Sequence, residues 1–454
     1  MPAFRQTIAL TGDSMLSRRV SVFRDKPFLR LRDILQKADA VFNNFESNVN
    51  AYLSEPHAQR NGGGGTYMTT EPALLDELKW LGINMLACGS SHADDYGPNG
   101  ILNTIRHLDA AGLVHAGSGR NLAEARAPGY LDTSNGRFAL IAANAQFTSG
   151  SRAGGQRIDT PGWPGVNGLR HKTVHYVTKA SLDDLRRIGR EIGWAAAVER
   201  ARHHGDAGLG EDSDTSYNFM GQTFRLGQEP RVESSANKSD IEENLRQVKN
   251  ARLFADRVIV SLHCHEQGGR TLLTAKRRAD VEDLADYAVD FGRRCIDAGA
   301  DVFVAHGPQI PLAVEIYKGK PLFHGIGTFL FQIETIKYFP DDAYERYGLG
   351  DRATPADFIH ARYKGDTAGH TVDPEQWEQF FAVCEFQGDV LAEVRLHPID
   401  LGFKRRRTDR GRPVLASGRV ADQVLGRVEA LSKKYGTVIA RKGDVGIIRP
   451  KRRG

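Results

Sequence analysis

The sequence predicts a layered α/β domain with a mostly central sheet, and three observations carry that reading. Short apolar runs of strand length recur along the chain, segments with apolar residues at helical spacing lie between them, and a chemistry-bearing side chain closes run after run. The runs are residues 7–10, 40–42, 84–87, 138–143, 258–262 and 302–304. The helical segments are 28–36, 74–81, 101–111 and 278–298, the last stopping at Gly299, a residue type suited to a helix terminus. Downstream, 312–317 and 321–323 flank Lys318-Gly319-Lys320 as a hairpin. From about residue 379 the chain adds strands, a helix over 419–433 and a final strand pair.

In open α/β sheets, polar groups that do chemistry collect where strands end and loops begin. Asp13 follows the first run, Glu46 the second and His92 the third, while His263 ends the fifth and His306 follows the sixth. Packing alone does not call for a carboxylate or imidazole at each of these ends. Each residue also has a plainer reading: a strand-end Asp or Glu caps helices and forms turns, and a histidine closing an apolar strand can be a satisfied core residue. His107, His115, His171, His203 and His204 read as surface residues.

Residues 148–239 break the alternation, with Pro, Gly and Asp clusters around one helix-like segment, 182–202, and read as an insertion able to cap a pocket. The glycine run 62–65 is a short turn. The chain thus divides into 1–147, the insertion 148–239, a second half 240–400 and a C-terminal extension 401–454 packing on the domain.

Composition narrows the function classes. The 454 residues are 40% hydrophobic and 26% charged, values of an ordinary globular chain. The net charge of +5 owes part of its excess to Lys404, Arg405, Arg406, Arg407 and the tail Lys451, Arg452 and Arg453. A basic run without interleaved aromatic residues is a solvated loop, so nucleic acid is not an expected partner. The first apolar run is too short for a signal peptide and no lipid-spanning segment follows, which leads to the expectation of a cytoplasmic protein. Cys88, Cys264, Cys295 and Cys384 form no CxxC pair and are expected as free thiols.

The motifs resemble a known family. Gly12-Asp13-Ser14-Met15-Leu16-Ser17-Arg18 is similar to the GDxMLxR block of poly-γ-glutamate capsule-synthesis (CapA-like) proteins, and Asn44-Phe45-Glu46 to the second block. Ser91-His92-Ala93-Asp94-Asp95-Tyr96-Gly97 resembles the third. The run ending in His263, the block Ala305-His306-Gly307-Pro308, Glu315-Ile316-Tyr317-Lys318-Gly319-Lys320-Pro321 and Gly325-Ile326-Gly327-Thr328-Phe329 follow in the family's order, over roughly residues 7 to 332.

The resemblance implies a calcineurin-like metallophosphatase fold, a four-layer helix/sheet/sheet/helix sandwich with an inserted cap and a C-terminal extension. It also implies one or two divalent ions, of Mn, Fe or Zn, a choice that mixed carboxylate and imidazole donors suit. Asp13 would hold the first ion, Glu46 would bridge, and His263 and His306 would hold the second. Ser91 and Gln309 occupy two further ligand positions where the family has Asn and His, and as neutral groups they weaken their part of a binuclear site; Thr328 likewise replaces an Asn. His92 would protonate a leaving group, with Asp13 and His306 in the catalytic set. Arg18, which closes the first block, and His265, just past His263, are candidate substrate contacts.

Three functions follow as expectations. The leading one is a metal-dependent hydrolase of an amide, peptide-like or phosphoester substrate. The second is a metal-independent epimerase acting at a peptide Cα through Asp13, His92 and His306. The third is a non-catalytic accessory protein of poly-γ-glutamate or capsule synthesis. The partner is accordingly a small molecule or a peptide.

Overall fold

A computed structural model describes residues 4–55, 66–205, 210 and 212–450. The glycine run 62–65 and the tail cations Lys451, Arg452 and Arg453 lie outside the described residues.

The first half contains β1 (Arg5–Met15), α1 (Lys26–Leu35), β2 (Ala40–Phe45), α2 (Leu75–Leu81), β3 (Met85–Ala87), α3 (Gly97–Ala111), β4 (Val114–Ala116), β5 (Gly129–Thr133) and β6 (Gly136–Asn144). Next come β7 (His171–Val177), α4 (Lys179–Glu191), α5 (Trp194–His203), β8 (Ser216–Phe219), β9 (Gln222–Leu226) and β10 (Arg231–Ala236). The second half supplies α6 (Lys238–Arg252), β11 (Arg257–His263), α7 (Asp286–Asp297), β12 (Val302–His306), β13 (Val314–Tyr317), β14 (Lys320–Phe323) and β15 (Thr328–Phe331). The chain closes with β16 (Glu378–Gln387), β17 (Val390–Asp400), α8 (Arg419–Ser432), β18 (Ala440–Lys442) and β19 (Val445–Ile448).

Among the described residues, one large sheet has the order β18-β19-β17-β16-β1-β2-β3-β4, with β15 also pairing β1. A second has the order β13-β14-β12-β11-β6-β5. The strands that end in chemistry have parallel neighbours, β1 with β2 and β15 and β11 with β6 and β12, while β16 runs antiparallel to β1. Side chains alternate across each pleat, so each strand feeds two apolar clusters. Ile8, Leu10, Phe42 and Met85 of the first sheet share one cluster with Leu140, Ile259, Val304 and Phe323 of the second. Ala9, Val41 and Leu86 point the other way, onto Phe28 and Leu31 of α1 and Leu78 of α2. Ile141, Val258 and Val260 join Val248 of α6 and Phe291 of α7. Each of these side chains larger than alanine contributes about 1.5–3 kcal/mol on burial, and burial on both faces explains the unbroken apolar runs.

Two helices differ from the sequence reading. The segment expected as one helix over 278–298 begins as a tight turn, Arg278–Asp280, then the short strand Asp283–Leu284, and becomes helical only at Asp286. Asp280 accepts from the Arg277 backbone N–H at 3.1 Å, and Asp283–Leu284 pairs with Gln267–Gly268, so tertiary pairing overrides the helical spacing. The segment 182–202 is two helices, broken at Gly193 with φ 75°. Around them four strands form a small sheet, β8-β9-β7-β10, that the sequence reading lacks. These strands have half-exposed, polar-rich faces such as RVESSA, so no apolar run announces them.

Of the histidines expected at the surface, His203 and His204 are exposed, whereas His107, His115 and His171 are partly buried, beside Glu55, Asp109 and Glu266 respectively. The four cysteines are free and buried. Among the described residues no helix is long and apolar enough to cross a membrane.

Candidate functional site

Strand register brings the candidate residues together. After an irregularity between Leu10 and Asp13, β1 lies beside β2 with Asp13 opposite Asn44, and Thr328 of β15 flanks Asp13 on the other side. In the second sheet His263 lies opposite both His306 and Asn144. Neighbouring strands are about 4.8 Å apart, so residues at one level on adjacent strands meet. The close passage at the end of β1 requires Gly12, since a Cβ there would overlap the Gly327 carbonyl that accepts from Asp13 N at 2.9 Å.

Asp13, His263 and His306 are fully buried, and one donor atom from each falls within 4.8 Å of the others. His306 Nδ1 is 3.4 Å from Asp13 Oδ1 and 3.1 Å from His263 Nδ1. Asn44 Nδ2 donates to Asp13 Oδ1 at 2.8 Å, and the Gly307 N–H donates to Asp13 Oδ2 at 3.2 Å. His306 Nε2 lies 2.6 Å from Ser261 Oγ. With Nε2–H donating to Ser261, Nδ1 turns its lone pair toward Asp13 and His263, the second-sphere arrangement that fixes a metal-binding imidazole.

This donor set fits a divalent ion. Ligands at 2.0–2.1 Å around a tetrahedral ion sit about 3.3 Å apart, which matches the 3.1 and 3.4 Å separations. Burial, then the neighbouring imidazoles His265, His306 and His92 and the Arg278 charge, push the His263 pKa well down, toward the neutral form that binds metals.

A second group shares His263. Glu46, one residue past β2, places Oε1 3.7 Å from His263 Nε2, and His265 Nε2 lies 3.2 Å from the same atom. Together they form the donor set Glu46, His263 and His265. Ser91 Oγ donates to Glu46 Oε1 at 3.2 Å, while among the described residues Glu46 Oε2 is buried without a hydrogen-bond partner. Burial and the charge of Asp13 push the Glu46 pKa well up; the Ser91 hydroxyl, the Gln309 amide and the Arg278 charge oppose that rise. Ser91 and Gln309 therefore both act on Glu46. Gln309 does so from a left-handed backbone, φ 62°, which costs a non-glycine residue of order 1–3 kcal/mol. Gln379 steadies that loop by donating to Gln309 O at 3.1 Å.

His92 belongs to neither donor group; its Nδ1 is 2.6 Å from Asp95 Oδ2, which also accepts from Met68 N at 2.7 Å. Arg18 directs its guanidinium to the carbonyls of Thr408 and Arg410. His265 sits among the possible ligands.

Sequence reasoning missed Asn44, Asn144 and Ser261. The strand-end rule applied to Asn44 and Asn144 finds the first two, and Ser261, two residues before His263 in a strand, shares its face. Arg278 and Arg427 carried no signal. Arg278 Nη1 donates to Pro308 O at 3.3 Å, and Arg427 of α8 donates to Ala279 O and Pro311 O, each at 2.9 Å, tying the two site loops together.

The family model described as "Bacterial capsule synthesis protein PGA_cap" matches residues 7–333, a stretch that contains every residue of both donor groups. The chain is similar to the uncharacterized proteins y4sH and y4uA of Sinorhizobium fredii (strain NBRC 101917 / NGR234), each 31% identical over 452 residues, 98% of this chain and 93% of the relative. It is also similar to the capsule biosynthesis protein CapA of Bacillus anthracis, 22% identical over 353 residues, 77% of this chain and 65% of the relative.

Proposed function

This chain belongs to the bacterial capsule synthesis PGA_cap family, and from that footing we propose that it is a hydrolase using one divalent ion, held by Asp13, His263 and His306, on an amide, peptide-like or phosphoester bond. The observation that carries the reading is the convergence of these three buried donors at the ends of strands from two sheets. Mn, Fe or Zn suits this mixture of carboxylate and imidazole. Only one ion is proposed because the second group offers Ser91 and Gln309 as neutral hydrogen-bonding groups to Glu46.

The layering is read as helix/sheet/sheet/helix, supported by an apolar cluster shared between the two sheets and clusters joining each to its helices. Residues 148–239 are read as a cap over the site. Support comes from two contacts: Thr148 donates to Asp94 at 3.2 Å, and His171 stacks on Tyr287 at 4.5 Å, whose hydroxyl donates to Glu266 at 2.7 Å.

When bound, the ion supplies Lewis-acid polarisation of the scissile group and a water acidic enough to attack near neutral pH. Asp13, His263 and His306 would hold it, and Ser261 holds the tautomer of His306. The buried walls exclude bulk water, which strengthens the electrostatic interactions inside. Asp95 engages His92 Nδ1, leaving Nε2 to deliver a proton to the leaving group. The capsule biosynthesis named for the CapA relative, with the resemblance to poly-γ-glutamate proteins, favours an amide or peptide-like bond.

The test is elemental analysis after reconstitution with Mn, Zn or Fe, followed by assay on amide, peptide and phosphoester panels. Wild type should retain about one ion per chain, and Asp13→Ala and His263→Ala should lose it. A wild type that retains no metal overturns the reading. The His92–Asp95 pair, which needs no ion, then favours proton removal and return at a peptide Cα, read by solvent deuterium incorporation without cleavage.

A further inference from the structure

Arg278 stands in a turn whose backbone is fixed from several directions. Its own carbonyl accepts from Gln267 Nε2 at 3.3 Å, the next carbonyl accepts from Arg427, and Asp280 closes back on Arg277. The guanidinium rests on the Pro308 carbonyl, one residue beyond Gly307, whose N–H donates to Asp13. It therefore lies along the loop that carries His306 and Gln309.

Its charge is uncommitted. Among the described residues Arg277 has Asp280 at 2.8 Å, Glu375 at 3.3 Å and Asp373 at 3.5 Å, whereas Arg278 forms no ion pair with a carboxylate. Its field nevertheless reaches both Glu46 and His263. A guanidinium's planar fork matches carboxylate and phosphate oxygens.

We propose that Arg278 is the anion contact of this site, receiving a carboxylate or phosphate group that the substrate carries at or beside the bond to be broken. The inference rests on the hydrolase reading for the position of that bond, but the anion contact itself needs no metal. The substrate class it selects is acidic: a peptide-like amide with a neighbouring carboxylate, or a phosphoester.

The full chain is titrated calorimetrically with glutarate and, separately, with inorganic phosphate, both after chelator dialysis and after Mn reconstitution. Wild type is compared with Arg278→Gln, Arg278→Lys and Arg277→Gln. Arg278→Gln should weaken binding of the preferred anion by at least about tenfold, as expected for losing a charge-assisted contact. Arg278→Lys should weaken it less, and Arg277→Gln should leave it unchanged. Preference for glutarate identifies a carboxylate, and preference for phosphate a phosphoester. A wild type that binds neither anion, or an Arg278→Gln protein of native circular dichroism and wild-type affinity, overturns the proposal. Metal retained together with anion binding insensitive to Arg278 removes this inference alone; no metal retained, with binding that depends on Arg278, removes the hydrolase reading and leaves the anion contact standing.

Discussion

The two donor groups of the site share His263 but differ in what carries the rest. Asp13 and His306 are strand residues in hydrogen-bonded register with neighbouring strands, and Ser261, on the same strand as His263, fixes the His306 ring. Glu46, His265, Ser91 and Gln309 lie in the connections just beyond strands, Gln309 with a left-handed backbone. A register shift of one residue would move every side chain of a strand to the opposite face and the wrong apolar cluster, so donors on strands are held by the core itself. Connections tolerate replacement, and there the neutral Ser91 and Gln309 act on Glu46 without disturbing the strands.

The most disruptive way to break this contrast is His306→Ala, expected to lower Mn or Zn affinity by more than about 100-fold in calorimetric titration; His265→Ala should have far less effect. Equal losses would mean that both groups hold the ion.

Metal titrations must be separated from global unfolding, which sets a pH window. Burial, then the Arg362 and Arg410 charges, hold the His370 imidazole down at about 3, and burial with Arg395 holds His397 at about 4. Both folded values lie below the ordinary 6.5 of the unfolded chain, so as pH falls through 6.5 the unfolded chain takes up protons that the folded one does not. Stability is therefore lost on acidification from about pH 6.5 down to about 3–4, with a cost of about 2 kcal/mol per histidine at pH 5. Urea unfolding at pH 8 and pH 5 checks this, and His397→Phe should flatten the dependence. Metal release above pH 7 then reports on the site alone.

Smaller in effect is Ser261→Ala, which leaves the donors in place and removes the partner of His306 Nε2; affinity should fall about 10-fold, at the low end for an outer-shell partner. Finest of all is the reverse test. Ser91→Asn combined with Gln309→His supplies the ligand types expected at those positions, and histidine tolerates the left-handed backbone at 309 better than most residues. Elemental analysis should then rise from about one ion per chain to about two; a value that stays at one would place the difference in the loops' paths rather than in their residues.

Much of this architecture was legible before any coordinates. The apolar runs ending in Asp13, Glu46, His263 and His306 mark strands buried on both faces, and the change from apolar to ionisable side chain marks each strand's end. The small sheet β7–β10 was not legible because half-exposed strands such as RVESSA carry no apolar run. The helical spacing after residue 278 misled because the pairing of Asp283–Leu284 with Gln267–Gly268 outweighs local propensity.

Residue chemistry at strand ends, and so the candidate donors, is a property of the sequence alone, since a period of two and an apolar core dictate which positions stop being buried strand. Which donors meet is a tertiary matter. Parallel register sets His263 against His306 and Asp13 against Asn44, and the packing of one sheet on the other brings the two pairs together. Arg18 and Arg278 illustrate the same division: an arginine in a motif and one outside it are alike as residues. Only the fold turns the first toward backbone carbonyls of the 408–410 loop and leaves the second, among the described residues, without a paired carboxylate, because long-range contacts decide where a flexible cation finds its partners.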